Sequence, residues 1–281
     1  MTGPAGATAP RGAASSMAFT FDLDAEEVWI GENAGAVQRP VTLSQGHYGP
    51  RVAVPAILAL LTRHDIVATF FIPGRVAETY PRCVEAILEA GHEVAHHGYT
   101  HRAPSLLAEA EEREEFERSI AALRAFGVEP VGYRAPSWDL TNRTIGLAAA
   151  YGFRYSSNFM SDIRPFMHAA TGLMEVPVHW TLDDAAHFWF SGDTWTKAIA
   201  TNSQVEEIFA AEARGIARLG GCCVYTFHPQ IIGRPGRLEL LDSMLGEAAR
   251  RTGVWVTTTA NIAEAARSGP APPPVYRAAG A

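Results

Sequence analysis

Along the chain, short apolar runs alternate with longer segments whose apolar positions recur at helical spacing. The runs predict strands over Ala18–Asp24, Val67–Ile72, Glu93–His97, Val131–Ala135, Arg154–Ser157, Glu175–Val178, Cys223–His228 and Val254–Thr257. The segments between them predict helices over Pro50–Arg63, Pro81–Glu89, Ser105–Ala125, Thr141–Ala150, Asn202–Leu219 and Leu238–Arg250. Gly91, Gly127 and Gly152 follow three of these, where a residue tolerant of left-handed backbone stops the helix. Alternation repeated this often implies an α/β fold on a parallel sheet, and at this length a closed or nearly closed barrel. A doubly wound open sheet competes, but no glycine-rich phosphate loop follows any strand.

Two stretches break the pattern. Ala25–Gly49 reads as a long connection without periodicity, and Trp180–Lys197 mixes aromatic with polar residues. Long connections in a compact domain are usually functional or disordered, and the Trp, His and Tyr content here favours substrate walls. Glu26, Trp29, His47, Tyr48, Trp180, Asp183, Asp184 and Trp189 are the candidates, with Pro136 and Trp138 shaping a further wall. Plain packing or a solvated surface explains each of them equally well. Residues 1–16 are rich in Gly, Ala, Ser and Pro without the apolar core of a secretory signal, so they read as a disordered extension with Met17 as an alternative start. No linker interrupts residues 17–267, which makes them one domain, and the Pro/Ala-rich residues 268–281 read as a surface strap or a disordered end.

Composition narrows the class of function. Of 281 residues 47% are apolar and 19% charged, ample for one sizeable core. A net charge of -7 argues against a nucleic-acid partner. No apolar run reaches the roughly 20 residues of a membrane span. The three cysteines are too few for a disulfide framework, and adjacent Cys222 and Cys223 read as buried thiols in a reducing cytoplasm. Nothing sets the oligomeric state, so a homo-oligomer stays open.

The unusual polar residues gather at the C-terminal ends of the predicted strands: Asp22 and Asp24, His97, Arg134, and His228. In an α/β barrel that face carries the active site. Asp22 and Asp24, two apart on extended chain, point to one side with Leu23 on the other. Two converging carboxylates repel unless a cation or a shared proton separates their roles, though loop-start aspartates also cap turns. Residues 92–101 hold four histidines, and alternation sets Glu93, Ala95 and His97 on one face with Val94 and His96 on the other. One turn of chain brings His97 and His101 to a common metal. With Asp24 they form a ligand set that leaves positions open, as a catalytic metal requires, and that suits zinc, cobalt, nickel, manganese or iron. Asp22 is then placed to act as general base and His228 to protonate a leaving nitrogen. Arg134 is suited to grip Asp22 bidentately, a surface salt bridge being the plainer alternative.

These strings resemble the polysaccharide deacetylase superfamily in its own motif order. Thr20-Phe21-Asp22 resembles the opening motif, His97-Gly98-Tyr99-Thr100-His101 the two-histidine metal motif, Arg134-Ala135-Pro136 the arginine–proline motif and Phe227-His228-Pro229 the late histidine motif. The resemblance runs from Phe19 to about Thr258 and implies a distorted (β/α) barrel of about seven strands. It also implies Asp22 as base oriented by Arg134, Asp24, His97 and His101 as ligands of a divalent metal, and His228 as acid. The usual motif has adjacent aspartates, whereas Leu23 separates them here. Asp22-Leu23-Asp24-Ala25-Glu26 and Gln230 followed by Gly233-Arg234-Pro235 resemble a cytoplasmic branch that includes peptidoglycan deacetylase-like proteins, cyclic imide hydrolases and allantoinase-like enzymes. The leading expectation is therefore a hydrolase that opens a cyclic imide or ureide. The alternatives are an N-deacetylase of an acetylated sugar or glycan, and a binding protein that keeps the pocket without turnover.

Overall fold

The apolar run ahead of the aspartate pair forms strand β1 (Ser15–Asp22), buried from Met17 onward. Burial on both faces is what a parallel sheet covered by helices imposes. The computed structural model describes residues 8–10, 12–190 and 198–269. In chain order the further strands are β2 (Thr69–Ile72), β3 (Glu93–His96), β4 (Gly132–Tyr133), β5 (Tyr155–Ser156), β6 (Phe166–Met167), β7 (Met174–Glu175), β8 (Cys222–Phe227) and β9 (Val254–Val256). They lie side by side as β6-β7-β5-β4-β3-β2-β1-β8. On one edge of β1, β9 pairs with Ser15–Met17 and β2 with Thr20–Asp22. The β6–β7 pair is antiparallel and the other pairings are parallel. Beyond β7, a parallel bridge from Asp183 to Thr226 on β8 draws the two ends of the sheet together. The result is the expected single-domain, distorted (β/α) barrel, with β6 as an additional short strand.

Alternation along the strands sorts the core into two sets. Phe19, Phe21, Leu23, Phe70, Ile72, Val94, Tyr225 and Phe227 face outward onto helical residues such as Leu61, Phe209, Leu241 and Leu245. Ala18, Phe71, Ala95 and Val224 face inward and form an apolar layer across the barrel. Polar residues lie above and below that layer, and the upper set sits at the C-terminal strand ends.

The main helices follow the predicted segments, Pro81–Glu89 with unchanged bounds. Gly91, Gly127 and Gly152 all have positive φ, as stop residues should. Ala25–Gly49 differs from expectation. It folds into a helix over Glu27–Glu32, a 3₁₀ turn over Ala34–Gln38 and a helix over Pro40–Tyr48. No period was legible because these elements are gripped on several sides: a Cβ on Gly31 would lie 2.5 Å from the Thr100 carbonyl oxygen, and one on Gly46 2.4 Å from the Glu26 amide nitrogen. Residues 180–190 likewise contain a 3₁₀ turn at Trp180–Leu182 and a helix at Asp184–Phe188, while 191–197 fall outside the described residues. At the N-terminus, order begins before Met17: Ser15 and Ser16 already belong to β1, and Met17 pairs with Cys223 and Val256. A helix over Thr259–Ser268, not anticipated, is the last element among the described residues, and 270–281 fall outside them.

Candidate functional site

At the end of β1 the Leu23 amide donates to the Phe71 carbonyl, which extends the strand geometry and keeps Asp22 and Asp24 on the inner side. Beyond β3, the chain turns sharply through Gly98 and His101, whose φ angles are 72° and 55°. For a histidine that backbone is unfavourable by about 1–3 kcal/mol, so its surroundings must enforce it. Glu115 does so: its carboxylate accepts from the Tyr99 amide at 2.7 Å, the Thr100 amide at 2.8 Å and the Thr100 hydroxyl. His97 Nδ1 donates to the Arg134 carbonyl at 2.9 Å, which turns its Nε2 lone pair inward.

The result is a compact donor cluster. Nε2 of His97 and of His101 lie 3.4 and 3.5 Å from Asp24 Oδ1, and all three side chains are buried. Both Asp24 oxygens and His101 Nδ1 have no hydrogen-bond partner among the described residues. Burial raises the Asp24 pKa, and only positive charge on the facing His101, His97 and His228 would reverse this; burial itself pushes His101 down to about 4, so at neutral pH its ring supplies no such charge. A buried carboxylate facing two imidazole lone pairs is costly unless something positive lies between them. Carboxylate and imidazole donors within 4.8 Å of one another suit a divalent ion, so the residues fit the expected metal.

Beside this cluster, Arg134 is fully buried with its guanidinium over the Phe71 ring at 4.0 Å. It donates from Nη1 to Asp22 Oδ1 at 2.7 Å and to the Thr20 hydroxyl at 2.9 Å. The grip on Asp22 is single rather than bidentate, because Nη2 and Nε are committed to the Ser157 hydroxyl and carbonyl. Asp22 Oδ2 is thereby left toward the cluster, 3.8 Å from His97 Nε2. Across from it, His228 follows β8, its Nε2 3.7 Å from Asp24 Oδ2 and its Nδ1 bonded to Asp184 Oδ1 at 2.7 Å. Burial alone would depress the His228 pKa, yet Asp184 and Asp183 behind it lift it well above the ordinary value. Asp183 is raised to about 7, chiefly by burial, with His228 opposing.

These groups line a cavity of about 300 Å³ together with Val28, Glu32, Ser137, Trp138, Trp180, Asp183, Ala185, Ala186 and Trp189. Asp22, Asp24, His97, His101 and His228 therefore meet, with Arg134 behind Asp22. Among the wall candidates, Trp138, Trp180, Asp183 and Trp189 reach the cavity; Glu26, Trp29, His47, Tyr48 and Pro136 do not. Glu26 accepts from the Tyr80 hydroxyl and faces His47, Tyr48 donates to the Gly233 carbonyl, and Pro136 packs beside Gly98. Trp29 stacks behind Trp189 with ring centres 5.2 Å apart. Sequence reasoning missed Glu115, Ser157, Thr20 and Glu32, and took Asp184 for a wall when it is the partner of His228. The positive-φ backbone of adjacent Ser137 and Trp138, at the cavity edge, also carries no sequence signal.

The polysaccharide deacetylase family profile matches residues 46–156. A peptidoglycan deacetylase of Helicobacter pylori is 26% identical, over 86% of this chain and 92% of its own. The structure of a Mycobacterium smegmatis protein classed as a polysaccharide deacetylase is 38% identical, covers 98% of both chains and superposes with a TM-score of 0.92. An allantoinase structure shares the fold, with a TM-score of 0.76 at 22% identity over 94% of each chain. Among the described residues no helix is long and apolar enough to cross a membrane.

Proposed function

We propose that this chain, which belongs to the polysaccharide deacetylase family and is a hydrolase of C–N bonds other than peptide bonds, removes the acetyl group from an N-acetylated sugar or peptidoglycan-type glycan. The observation that carries the reading is the unpartnered, buried Asp24 carboxylate with His97 and His101 at 3.4 and 3.5 Å, flanked by Asp22 and His228. Asp24, His97 and His101 hold a divalent ion in this reading, zinc first, with cobalt, nickel, manganese or iron suiting the same donors. When bound, such an ion acidifies water and stabilises negative charge on a carbonyl oxygen.

The chain's own groups then divide the work. Asp22, held by Arg134 through Oδ1, takes the proton from the attacking water through Oδ2. The new C–O bond converts the amide carbon to a tetrahedral centre. His228, kept protonated by Asp184, delivers its proton to the nitrogen as the C–N bond breaks. Acetate and the free amine leave. Trp138 and Trp180, with ring centres 4.5 Å apart, and Trp189 offer apolar faces for a sugar ring. The free thiols Cys83, Cys222 and Cys223 support a reducing, cytoplasmic setting, where soluble glycan fragments are the accessible substrates.

Ring opening of a cyclic imide or ureide, the leading expectation from sequence, uses the same groups, and the aromatic walls suit a flat ring. The relatives' names favour deacetylation over it. Assay of the metal-loaded protein against N-acetylglucosamine oligomers, peptidoglycan fragments, phthalimide, hydantoin and allantoin separates the two. Acetate release is the expected result; ring opening without acetate release would overturn the deacetylase reading.

A further inference from the structure

Next to the catalytic cavity lies a second one of about 180 Å³, and Trp189 lines both. Its lining differs in character. Two guanidiniums, Arg234 and Arg237, border it, and so do two buried polar side chains without partners among the described residues. One is Gln230, only 5% exposed, with neither Oε1 nor Nε2 bonded. The other is Trp29, whose Nε1–H is buried and unbonded. Orphaned buried polar groups each cost about 1–3 kcal/mol, so two in one cavity call for an explanation.

Among the described residues neither arginine is paired with a carboxylate. Arg234 lies over the Tyr48 ring at 4.1 Å. Arg237 lies over the Phe188 ring at 4.4 Å and donates one bond to the Ile231 carbonyl at 3.0 Å. Asp184 acts electrostatically on Arg237, but that carboxylate is bonded to His228. Burial lowers the Arg237 pKa, and the charge of Arg234 works in the same direction against the pull of Asp184. Two repelling cations held by stacking, with two idle N–H donors beside them, are arranged for an anion.

We infer that this cavity binds an oxyanion, a carboxylate or a phosphate, carried on the same ligand whose N-acetyl group enters the catalytic cavity. Arg234 and Arg237 supply charge, and Trp29 Nε1–H and the Gln230 amide supply directed hydrogen bonds. Trp189, shared by both cavities, supports the ring between the two ends. The substrate class is thereby narrowed from N-acetylated sugars in general to acidic ones. Only the acetylated end of that ligand rests on the deacetylation reading; the anion site stands on its own residues.

Isothermal titration of the metal-loaded full chain with N-acetylglucosamine, N-acetylmuramic acid and N-acetylglucosamine 6-phosphate tests this. At least one acidic sugar should bind roughly tenfold to a hundredfold more tightly than the neutral one. Whichever is tighter identifies carboxylate or phosphate as the source. Inorganic phosphate should weaken the acidic sugar's binding and leave the neutral sugar's unchanged. The preference should disappear in Arg234→Gln/Arg237→Gln and persist in part in Arg234→Lys/Arg237→Lys, which keeps the charge. Equal affinities for neutral and acidic sugars, indifference to phosphate, or a preference that survives the double glutamine variant would overturn the anion site. Acidic preference without acetate release would remove the deacetylation reading and leave the anion site in place.

Discussion

Two polar clusters lie inside the same barrel, one at each end, and they differ in whether their polar groups are satisfied. At the N-terminal end the Glu93 carboxylate accepts from the Thr69 hydroxyl at 2.8 Å, the Tyr155 hydroxyl at 2.7 Å and the Ala260 amide at 3.1 Å. Thr259 closes the group by donating its hydroxyl and amide to Thr69. That cluster is self-sufficient. At the C-terminal end the Asp24 carboxylate is fully buried, where Glu93 is only partly so, and yet it has no donor among the described residues. Buried polarity is thus not what marks a site. Satisfied polarity fastens the Thr259–Ser268 helix onto the barrel floor, whereas unsatisfied polarity at the mouth is kept for something that arrives from outside. The apolar layer of Ala18, Phe71, Ala95 and Val224 keeps the two apart.

The contrast breaks most sharply at His97. His97→Ala should lose the metal and with it all measurable turnover, read by elemental analysis of the purified protein beside the activity assay. Wild-type metal content in that variant would remove His97 from the ligand set. Asp22→Asn should keep the metal and lose about 10²–10⁴-fold in turnover, the usual range for a proton-transfer group. Loss of metal from that variant would make Asp22 a ligand instead of a base.

Which parts of this contrast are legible without coordinates follows from how local each signal is. Alternation along residues 92–97 is a property of the strand itself. It correctly turned His97 inward and His96 outward, where His96 stacks on Phe116 with ring centres 5.0 Å apart. The strand ends were legible for the same reason, since a polar residue stopping an apolar run is visible in one window. Asp184 was not. Its bond to His228 joins positions 44 residues apart, brought together where Asp183 bridges to Thr226. Glu115 was invisible because it looks like any charged residue of the Glu109–Arg124 helix until the loop before His101 folds back onto it. The single grip of Arg134 depended on Ser157, whose own place is set by pairing between two-residue strands.

At the quiet end, the same logic predicts a purely structural loss. Glu93→Ala removes the acceptor shared by Thr69, Tyr155 and Ala260. It should destabilise the fold on the order of 3 kcal/mol in denaturant unfolding. Metal content should stay at the wild-type level. A variant that kept its stability but lost its metal would show that the two ends are coupled and that the apolar layer does not insulate them.

The smallest effect concerns His92, which begins β3 and has the same four-residue spacing to His96 that His97 has to His101. Its Nδ1 accepts from the Ala68 amide at 3.2 Å, and burial lowers its pKa to about 4. The folded chain therefore holds this proton less readily than the unfolded chain, whose histidine titrates near 6.5. The stability it contributes is present in full above pH 6.5 and is lost as the pH falls from there toward 4. The loss should be on the order of 1–3 kcal/mol in unfolding free energy. His92→Gln keeps an acceptor for the Ala68 amide without a titrating ring, so its unfolding free energy should change less over that interval. An unchanged slope would mean that His92 does not carry the acid sensitivity. A steeper loss in the wild type with metal removed would point instead to the histidines at the mouth, whose lone pairs an ion would otherwise hold.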